Sequence, residues 1–484
     1  MIGVVLKGHD YKYEVSELIK LFTSDFRFID ERDCMMVIEN SIFYHGDKVF
    51  SRTVYCENYE EILSNVDHRD LSGLDERARK KTIKETIKRS MFKILEQKFK
   101  SNVPWGILTG IRPVKIVHAL LDEGKDEEYI KEKLKEDYYI KDDKIELALN
   151  ISKRERQFIY PIDENKVSLY VGIPFCPTRC YYCSFPANPV DKFGGKKPLY
   201  VEKLLQEARG VAELLRDNNK EIETLYIGGG TPTTLSPEEM ETLIKGLFKE
   251  FDLSNIKEFT VEAGRPDTIN REILEVLKKH GVDRISINPQ TMNDETLQKV
   301  GRKHSVNDII ECFQLARELG FDNINMDMIT GLPGEDISHV HATLDEIFAL
   351  RPESLTVHSL AIKRAAHLNM EMEKYQNMVK GSTNEMLRLV DEYASNMGME
   401  AYYMYRQKNI PGNLENIGYC VSGKECLYNI LIMEEKQDII SCGAGASSKY
   451  VFEQGRIERT ENVKNLDHYI NRIDEMIDRK RKYL

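Results

Sequence analysis

Ser168-Leu-Tyr-Val-Gly-Ile-Pro-Phe-Cys-Pro-Thr-Arg-Cys-Tyr-Tyr-Cys-Ser-Phe-Pro-Ala-Asn188 is the stretch on which the reading of this 484-residue chain turns. The apolar run Ser168–Ile173 reads as a buried strand, and three cysteines follow its end. Cys176, Cys180 and Cys183 stand at C-x3-C-x2-C spacing. Three thiolates on one short loop can hold three irons of a cubane cluster and leave the fourth iron open. A structural zinc site is the alternative, and it normally closes with a fourth Cys or His. After Cys183 the next cysteine is Cys312, and no histidine comes before His280. A three-ligand loop therefore suits an open cluster better than a closed tetrahedron.

Outward from this loop, strand-like and helical runs alternate. Apolar runs at Val167–Ile173, Glu223–Ile227, Glu258–Glu262, Arg284–Asn288, Asn323–Ile329 and Ser354–Leu360 are separated by amphipathic stretches such as Tyr200–Arg216, Glu238–Phe251 and Val306–Leu319. That alternation predicts parallel strands joined by right-handed crossovers. Six units fall short of the eight that close a full barrel, so an open three-quarter (β/α)6 barrel of TIM-like, α/β class is expected. Sites on such barrels lie at the C-terminal ends of the strands. The unusual residues fall there: the cysteine loop, Gly228-Gly-Gly-Thr-Pro-Thr233, Glu262, Asn288-Pro-Gln290 with Arg302, Asp327 before Ile329-Thr-Gly-Leu-Pro-Gly334, and His358 with Ala361, Lys363 and Arg364. The three glycines let backbone amides approach a carboxylate-bearing ligand.

Composition bounds the rest. Hydrophobic content of 41% with 31% charged residues reads as a globular protein with a full core. A net charge of −11 argues against a nucleic-acid surface. No apolar run approaches the roughly 18 residues of a membrane span. The start, MIGVVLKGHDYK, is broken by Lys7 and does not read as a signal peptide. Nine scattered or clustered cysteines suit a reducing cytoplasm.

Three domains are expected: an N-terminal α/β and helical extension over 1–160, the barrel over 161–380, and a mixed α+β domain over 381–484. In the first, Ile2–Leu6 reads as a strand and Tyr13–Phe22 as a helix, and Cys34–Tyr44 and Lys48–Cys56 read as a hairpin around His45-Gly46-Asp47. From Asp75 to Phe158 the pattern turns helical and charged. Within it, Val103–Lys115 holds the single tryptophan, Trp105, and reads as a connector.

The cysteine spacing with Tyr182 before the last ligand resembles the cluster loop of radical S-adenosylmethionine (SAM) enzymes. Tyr170-x-Gly-Ile-Pro-Phe-Cys176, Gly228-Gly-Gly-Thr-Pro-Thr233, Gln290, Gly301-Arg302-x-His304 and Asp327-x-Ile329-x-Gly-Leu-Pro333 together resemble the oxygen-independent coproporphyrinogen III oxidase (dehydrogenase) family. The N-terminal extension and Tyr405–Tyr419 resemble its HemZ-like branch. The resemblance implies that Cys176, Cys180 and Cys183 hold a [4Fe-4S] cluster. It implies that Tyr170, Tyr182, Gly229, Gly230, Thr231, Glu262, Gln290, Arg302, Asp327 and Ala361 contact SAM. It further implies a tetrapyrrole substrate, a flavodoxin or ferredoxin as electron donor, and oxidative decarboxylation of two propionates of coproporphyrinogen III to vinyl groups. No residue is assigned as an acid or base catalyst, and a monomer is expected.

The C-terminal stretch Tyr402–Asn416 is dense in aromatics, amides and the cations Arg406 and Lys408. Propionates of a tetrapyrrole need cations placed for carboxylates, so Arg406 and Lys408 are candidate substrate contacts. Two other functions share the same motifs: a haem-binding chaperone, with His358 or His367 as axial ligand, and a radical SAM enzyme acting on another substrate.

Overall fold

The computed structural model describes residues 1–30, 34–110, 112–185, 187–360, 383–407, 414–452 and 455–484. They form two compact units, one of Met1–Leu149 together with Leu414 and the other of the remaining residues from Asn150 to Leu484.

The first unit is built on a five-stranded sheet. Strands β1 (Ile2–Lys7), β2 (Phe26–Phe28), β3 (Met36–His45), β4 (Lys48–Glu57) and β5 (Glu60–Asp70) lie in the order β2-β1-β3-β4-β5. The expected hairpin is present, with His45 paired to Lys48. The sequence reading did not anticipate β5, because Glu60–Asp70 carries few apolar residues, although its burial alternates with the strand period. The helix Glu76–Phe99 starts where Asp75 accepts the Ala78 amide, and it buries Ile87, Met91, Phe92 and Leu95. Trp105 is fully buried, and the connector around it is tied within this unit by the Ile107 amide to the Tyr138 carbonyl at 2.9 Å. Cys56 sits in the core beside Val5, Val37 and Val54.

The second unit carries the alternation read from the sequence. Strands β6 (Lys166–Ile173), β9 (Glu221–Gly229), β10 (Glu258–Gly264), β11 (Arg284–Ile287), β12 (Ile324–Thr330) and β13 (Ser354–Ser359) are parallel neighbours in that order. Two short strands, β7 (Phe175–Cys176) and β8 (Asn188–Pro189), bracket the cysteine loop. This is the expected open, partial TIM-like barrel.

The described residues after 381 form no sheet of their own. Strand β15 (Glu415–Cys420) extends the barrel sheet antiparallel to β13, and β14 (Glu400–Arg406) pairs antiparallel with β15 outside it. At the other edge β16 (Asp438–Cys442) joins β6 in parallel, followed by β17 (Ser447–Phe452) and β18 (Arg456–Glu461). Paired edges satisfy backbone groups that an open barrel would otherwise leave unpaired. The boundary drawn at 380/381 therefore runs through one continuous eleven-stranded sheet.

A buried charge pair locks the β16 edge. Glu207 and Lys480 are 0% and 1% exposed and meet at 2.7 Å. Glu207 also accepts from the Tyr469 hydroxyl at 2.6 Å, Asn462 Nδ2 at 2.7 Å and the Gly443 amide at 2.8 Å. Every lone pair of this buried carboxylate has a donor, which is what allows a charge to be held there. Tyr200 links the turn to the cysteine strand, donating to the Gly172 carbonyl at 2.6 Å and accepting from the Ala444 amide at 3.1 Å.

Candidate functional site

The strand ends of the second unit surround a cavity of about 380 Å³. Cys176, Cys180, Tyr182 and Cys183 line one end. Gly229, Gly230, Thr231, Glu262, Gln290, Arg302 and Asp327 line it further round, so eleven of the residues singled out in the sequence share one space.

The register between β6 and β9 explains the first contacts. Gly172 lies opposite Gly228 and Ile173 opposite Gly229, so the cysteine loop leaves its strand beside the glycine-rich turn. The amides there are not free for a ligand, contrary to expectation. Gly229 donates to Glu262 Oε2 at 3.2 Å, Gly230 to the Ile173 carbonyl at 2.8 Å, and Thr231 to the Phe175 carbonyl at 2.7 Å. The glycines serve close approach instead. A methyl group on Gly230 would sit 2.5 Å from the Phe175 carbonyl oxygen and 3.0 Å from Cys176 Sγ, and Gly229 has φ +117°.

The cysteines are held from two sides. Thr231 Oγ1 lies 3.7 Å from Cys176 Sγ, and Arg265 Nη1 lies 3.8 Å from Cys180 Sγ. Arg265 also donates to the Thr178 carbonyl and hydroxyl at 3.0 and 2.9 Å and pairs with Asp267 at 2.7 Å. On the far side the Tyr181 amide and the Thr178 hydroxyl bond to the Val300 and Gly301 carbonyls, each at 3.1 Å. Burial pushes the Cys176 thiol up to about 11, with the neighbouring cysteines adding to it and Thr231 opposing. Three crowded thiols beside hydroxyl and guanidinium donors are a donor set for iron, whose binding removes their protons.

The SAM-side residues form a second group. Burial pushes the Glu262 carboxyl up to about 7 against the Tyr226 hydroxyl bond of 2.7 Å, and the Asp327 charge adds to the rise. Burial also acts to raise Asp327, but the His358 imidazole at 3.8 Å and the Asn325 amide at 2.7 Å outweigh it and hold that carboxyl below its usual range. Gln290 adopts φ +67°, and its amide and carbonyl are fixed by Asp327 and Ile329, each at 2.9 Å. Arg302 donates to the Asn288 carbonyl at 2.5 Å. Among the described residues, Ser286 Oγ, Asn288 Oδ1 and Arg302 Nε are buried on this wall without a hydrogen-bond partner. Orphaned polar atoms around one space fit a polar ligand such as a nucleoside with an amino-acid arm.

Other calls landed elsewhere. Tyr170 is absent from the lining and stacks behind it with Tyr226 and Tyr428, at 6.0 and 6.1 Å between ring centres. Arg406 is 3% exposed and faces Glu415 across the β14–β15 pair, while Tyr403, Tyr405 and Gln407 of the same segment line the cavity. Successive residues of a strand point to opposite faces, so Arg406 is turned away. Burial pushes its guanidinium down to about 10, with Glu415 opposing. Ala361 and Lys408, with Lys363, Arg364 and His367, lie outside the described residues. The sequence reading gave no role to Arg265, which only its place directly after the end of β10 could have flagged, nor to Tyr226, Asn429 and Met433, which carry no motif.

Another part of the lining is aromatic and hydrogen-bonding. Tyr226, Tyr403, Tyr405, His358, Gln407, Asn429 and Met433 belong to it. His358 Nδ1 lies 3.1 Å from the Tyr405 hydroxyl, so its two ring nitrogens face Tyr405 and Asp327.

Comparison with known proteins agrees with this geometry. Residues 170–347 match the radical SAM superfamily. The chain is 43% identical over 409 residues to the oxygen-independent coproporphyrinogen-III oxidase-like protein HemZ of Bacillus subtilis, covering 84% of this chain and 81% of that one. It is 31% identical over 316 residues to the heme chaperone HemW of Bacillus subtilis, covering 64% of this chain and 76% of that one. Coproporphyrinogen III oxidase (HemN) from Escherichia coli shares the fold, with a TM-score of 0.54 at 23% identity over 66% of this chain and 72% of that one. Proteins of this superfamily use a [4Fe-4S] cluster and SAM, and the described residues contain no helix long and apolar enough to cross a membrane. The chain belongs to the radical SAM superfamily, within its family of oxygen-independent coproporphyrinogen III oxidase-like proteins.

Proposed function

We propose that the protein oxidatively decarboxylates propionate side chains of coproporphyrinogen III to vinyl groups, giving protoporphyrinogen IX after two turnovers. The cavity carries this reading: three cysteines and a set of aromatic, hydrogen-bonding side chains line a single space. A flat apolar macrocycle with carboxylate arms calls for such a wall, with a few placed polar groups.

Cys176, Cys180 and Cys183 would hold the cluster. SAM would lie against Glu262, Gln290, Arg302 and Asp327, where the orphaned Ser286, Asn288 and Arg302 atoms await partners. When bound, the reduced cluster and SAM supply a carbon radical able to take a hydrogen atom. Losing that hydrogen from the propionate carbon next to the ring, the substrate would release carbon dioxide and pass one electron to a one-electron acceptor, leaving the vinyl group. A small redox protein of the flavodoxin or ferredoxin class would supply the reducing electron. No proton changes hands, so no residue need act as a base. The side chains hold the reacting carbon in place and keep water out.

Haem carriage, as the name of the HemW relative suggests for that protein, would call for an axial ligand. Of the two candidates, His358 has its ring nitrogens turned to Tyr405 and Asp327, and His367 lies outside the described residues. The test is anaerobic incubation of reconstituted protein with coproporphyrinogen III, SAM and a reductant, followed by chromatography. Vinyl products support the proposal. Tight haem binding without vinyl product overturns it.

A further inference from the structure

The inner face of a (β/α) barrel is ordinarily filled with branched apolar side chains. Here the inward positions below the strand ends are polar, and Thr260, Arg284, Asn325 and Thr356 line the cavity there. Arg284 opens β11 and lies opposite Thr260 of β10, so it stands at the floor, on the N-terminal side of the barrel.

Arg284 is 2% exposed, and one nitrogen of its guanidinium does all the bonding. Nη1 donates to Ser354 Oγ at 2.7 Å, Asn323 Oδ1 at 3.2 Å and the Lys424 carbonyl at 3.4 Å. Among the described residues, Nε and Nη2 donate to nothing and no carboxylate pairs with the group. Glu258, on the neighbouring strand, is filled by other donors. Its oxygens receive the Leu427 amide at 2.5 Å, the Thr260 hydroxyl at 3.2 Å, the Tyr428 amide at 3.3 Å and the Cys426 thiol at 3.4 Å. A buried cation without a paired anion is costly, so an open guanidinium edge on the wall of a cavity is a place for one.

The shape of that edge selects the anion. Nε and Nη2 form the side of the guanidinium whose two N–H bonds run parallel and match the two oxygens of a carboxylate. Ser286, next on the same face of β11, lines the same cavity, and its buried Oγ has no partner among the described residues. A hydroxyl can donate to an anion below it and still accept from a ligand above.

We infer that the floor of the cavity is an anion subsite, in which the open edge of Arg284 takes a planar, carboxylate-type group. Two sources share that chemistry: a carboxylate arm of the substrate reaching down the barrel, and a free small anion such as formate or bicarbonate. Only the first source rests on the proposed reaction; the subsite itself does not.

The test uses the full chain with reconstituted cluster, and iron content reports that each variant has folded. Binding of isotope-labelled formate is followed by NMR line broadening at fixed ionic strength in wild type, Arg284→Met and Arg284→Lys. Loss of the charge-assisted hydrogen bonds predicts roughly 10- to 100-fold weaker formate binding in Arg284→Met. Arg284→Lys keeps the charge and loses the fork, so its affinity should fall between the two, and it decides the matter where Arg284→Met does not fold. Absence of formate binding in wild type overturns the inference, as does equal affinity in wild type and Arg284→Lys. Coproporphyrin III and its tetramethyl ester then compete with the bound formate. Displacement by the acid and not the ester assigns the subsite to a substrate arm, and formate left in place by both assigns it to a free anion. Formate binding at Arg284 without vinyl product overturns the proposed reaction and leaves the subsite standing. Vinyl product from a wild type that binds no formate does the reverse.

Discussion

The two ends of the cavity are built by different means. At the cysteine end, backbone amides carry much of the hold, Gly230 on the Ile173 carbonyl, Thr231 on Phe175 and Tyr181 on Val300, with the Arg265 guanidinium and the Thr178 hydroxyl beside them. At the opposite end, position is set by side chains, with Tyr405 held between His358 and Gln407. Backbone geometry tolerates few residue types, so the first end reads as motifs. A side-chain network can be assembled from many combinations, so the second end does not. The contrast also implies that substitutions at the first end remove the chemistry, whereas those at the second retune it.

The largest expected effect is at the cysteine end. Cys180→Ser leaves two thiolates for a four-iron cluster and should abolish both bound iron, measured by absorbance and iron content, and SAM cleavage. Cys56→Ser and Cys312→Ser should leave iron unchanged, since neither lines the cavity. Wild-type SAM cleavage in Cys180→Ser would dissolve the contrast.

Next comes the support behind that end. Lys480→Met leaves Glu207 buried without its cation, a change that typically costs about 3–5 kcal/mol. A shift of that size should appear in chemical denaturation, with cluster loss on mild heating because the Gly443 turn is held by the same carboxylate. An unchanged midpoint would show that Tyr469, Asn462 and the Gly443 amide alone satisfy Glu207.

Arg406 provides the control at the opposite end. Because it faces Glu415 and not the cavity, Arg406→Met should lower stability while leaving coproporphyrin affinity within about twofold of wild type, a difference of roughly 0.4 kcal/mol. A hundredfold loss of affinity would restore it as a substrate contact.

A last effect is a pH dependence set at Glu262. Burial raises the Glu262 carboxyl from 4.5 to about 7. A carboxyl raised in the folded state favours folding most below its unfolded value, and that contribution is lost as pH climbs from about 4.5 to about 7. Glu262→Gln should remove this part of the slope, and parallel stability curves for variant and wild type across that window would contradict the assignment.

Much of this was open to reading from the residues alone. Six buried apolar runs at regular spacing gave the parallel strands to within a few residues, because strands buried on both faces are nearly continuous in apolar character. The strand-end rule then gathered the cysteines, Glu262, Gln290, Arg302 and Asp327. What failed was parity and edge pairing. Tyr402, Tyr403 and Met404 are all buried, so β14 shows no period of two by which to tell Arg406 from its neighbours. The amides of the glycine turn looked free because only the register of β6 and β9 shows their acceptors. The strands after 381 looked like a domain because nothing local marks which sheet an edge strand will join.

The account rests on a hydrogen atom leaving a substrate held at one end for a radical made at the other. Label transfer tests this directly. Coproporphyrinogen III deuterated at the propionate carbon next to the ring is incubated anaerobically with the reduced, reconstituted protein and SAM, and the 5′-deoxyadenosine formed is examined by mass spectrometry. The account predicts deuterium in that product in step with vinyl formation. Unlabelled 5′-deoxyadenosine without any vinyl product would contradict it.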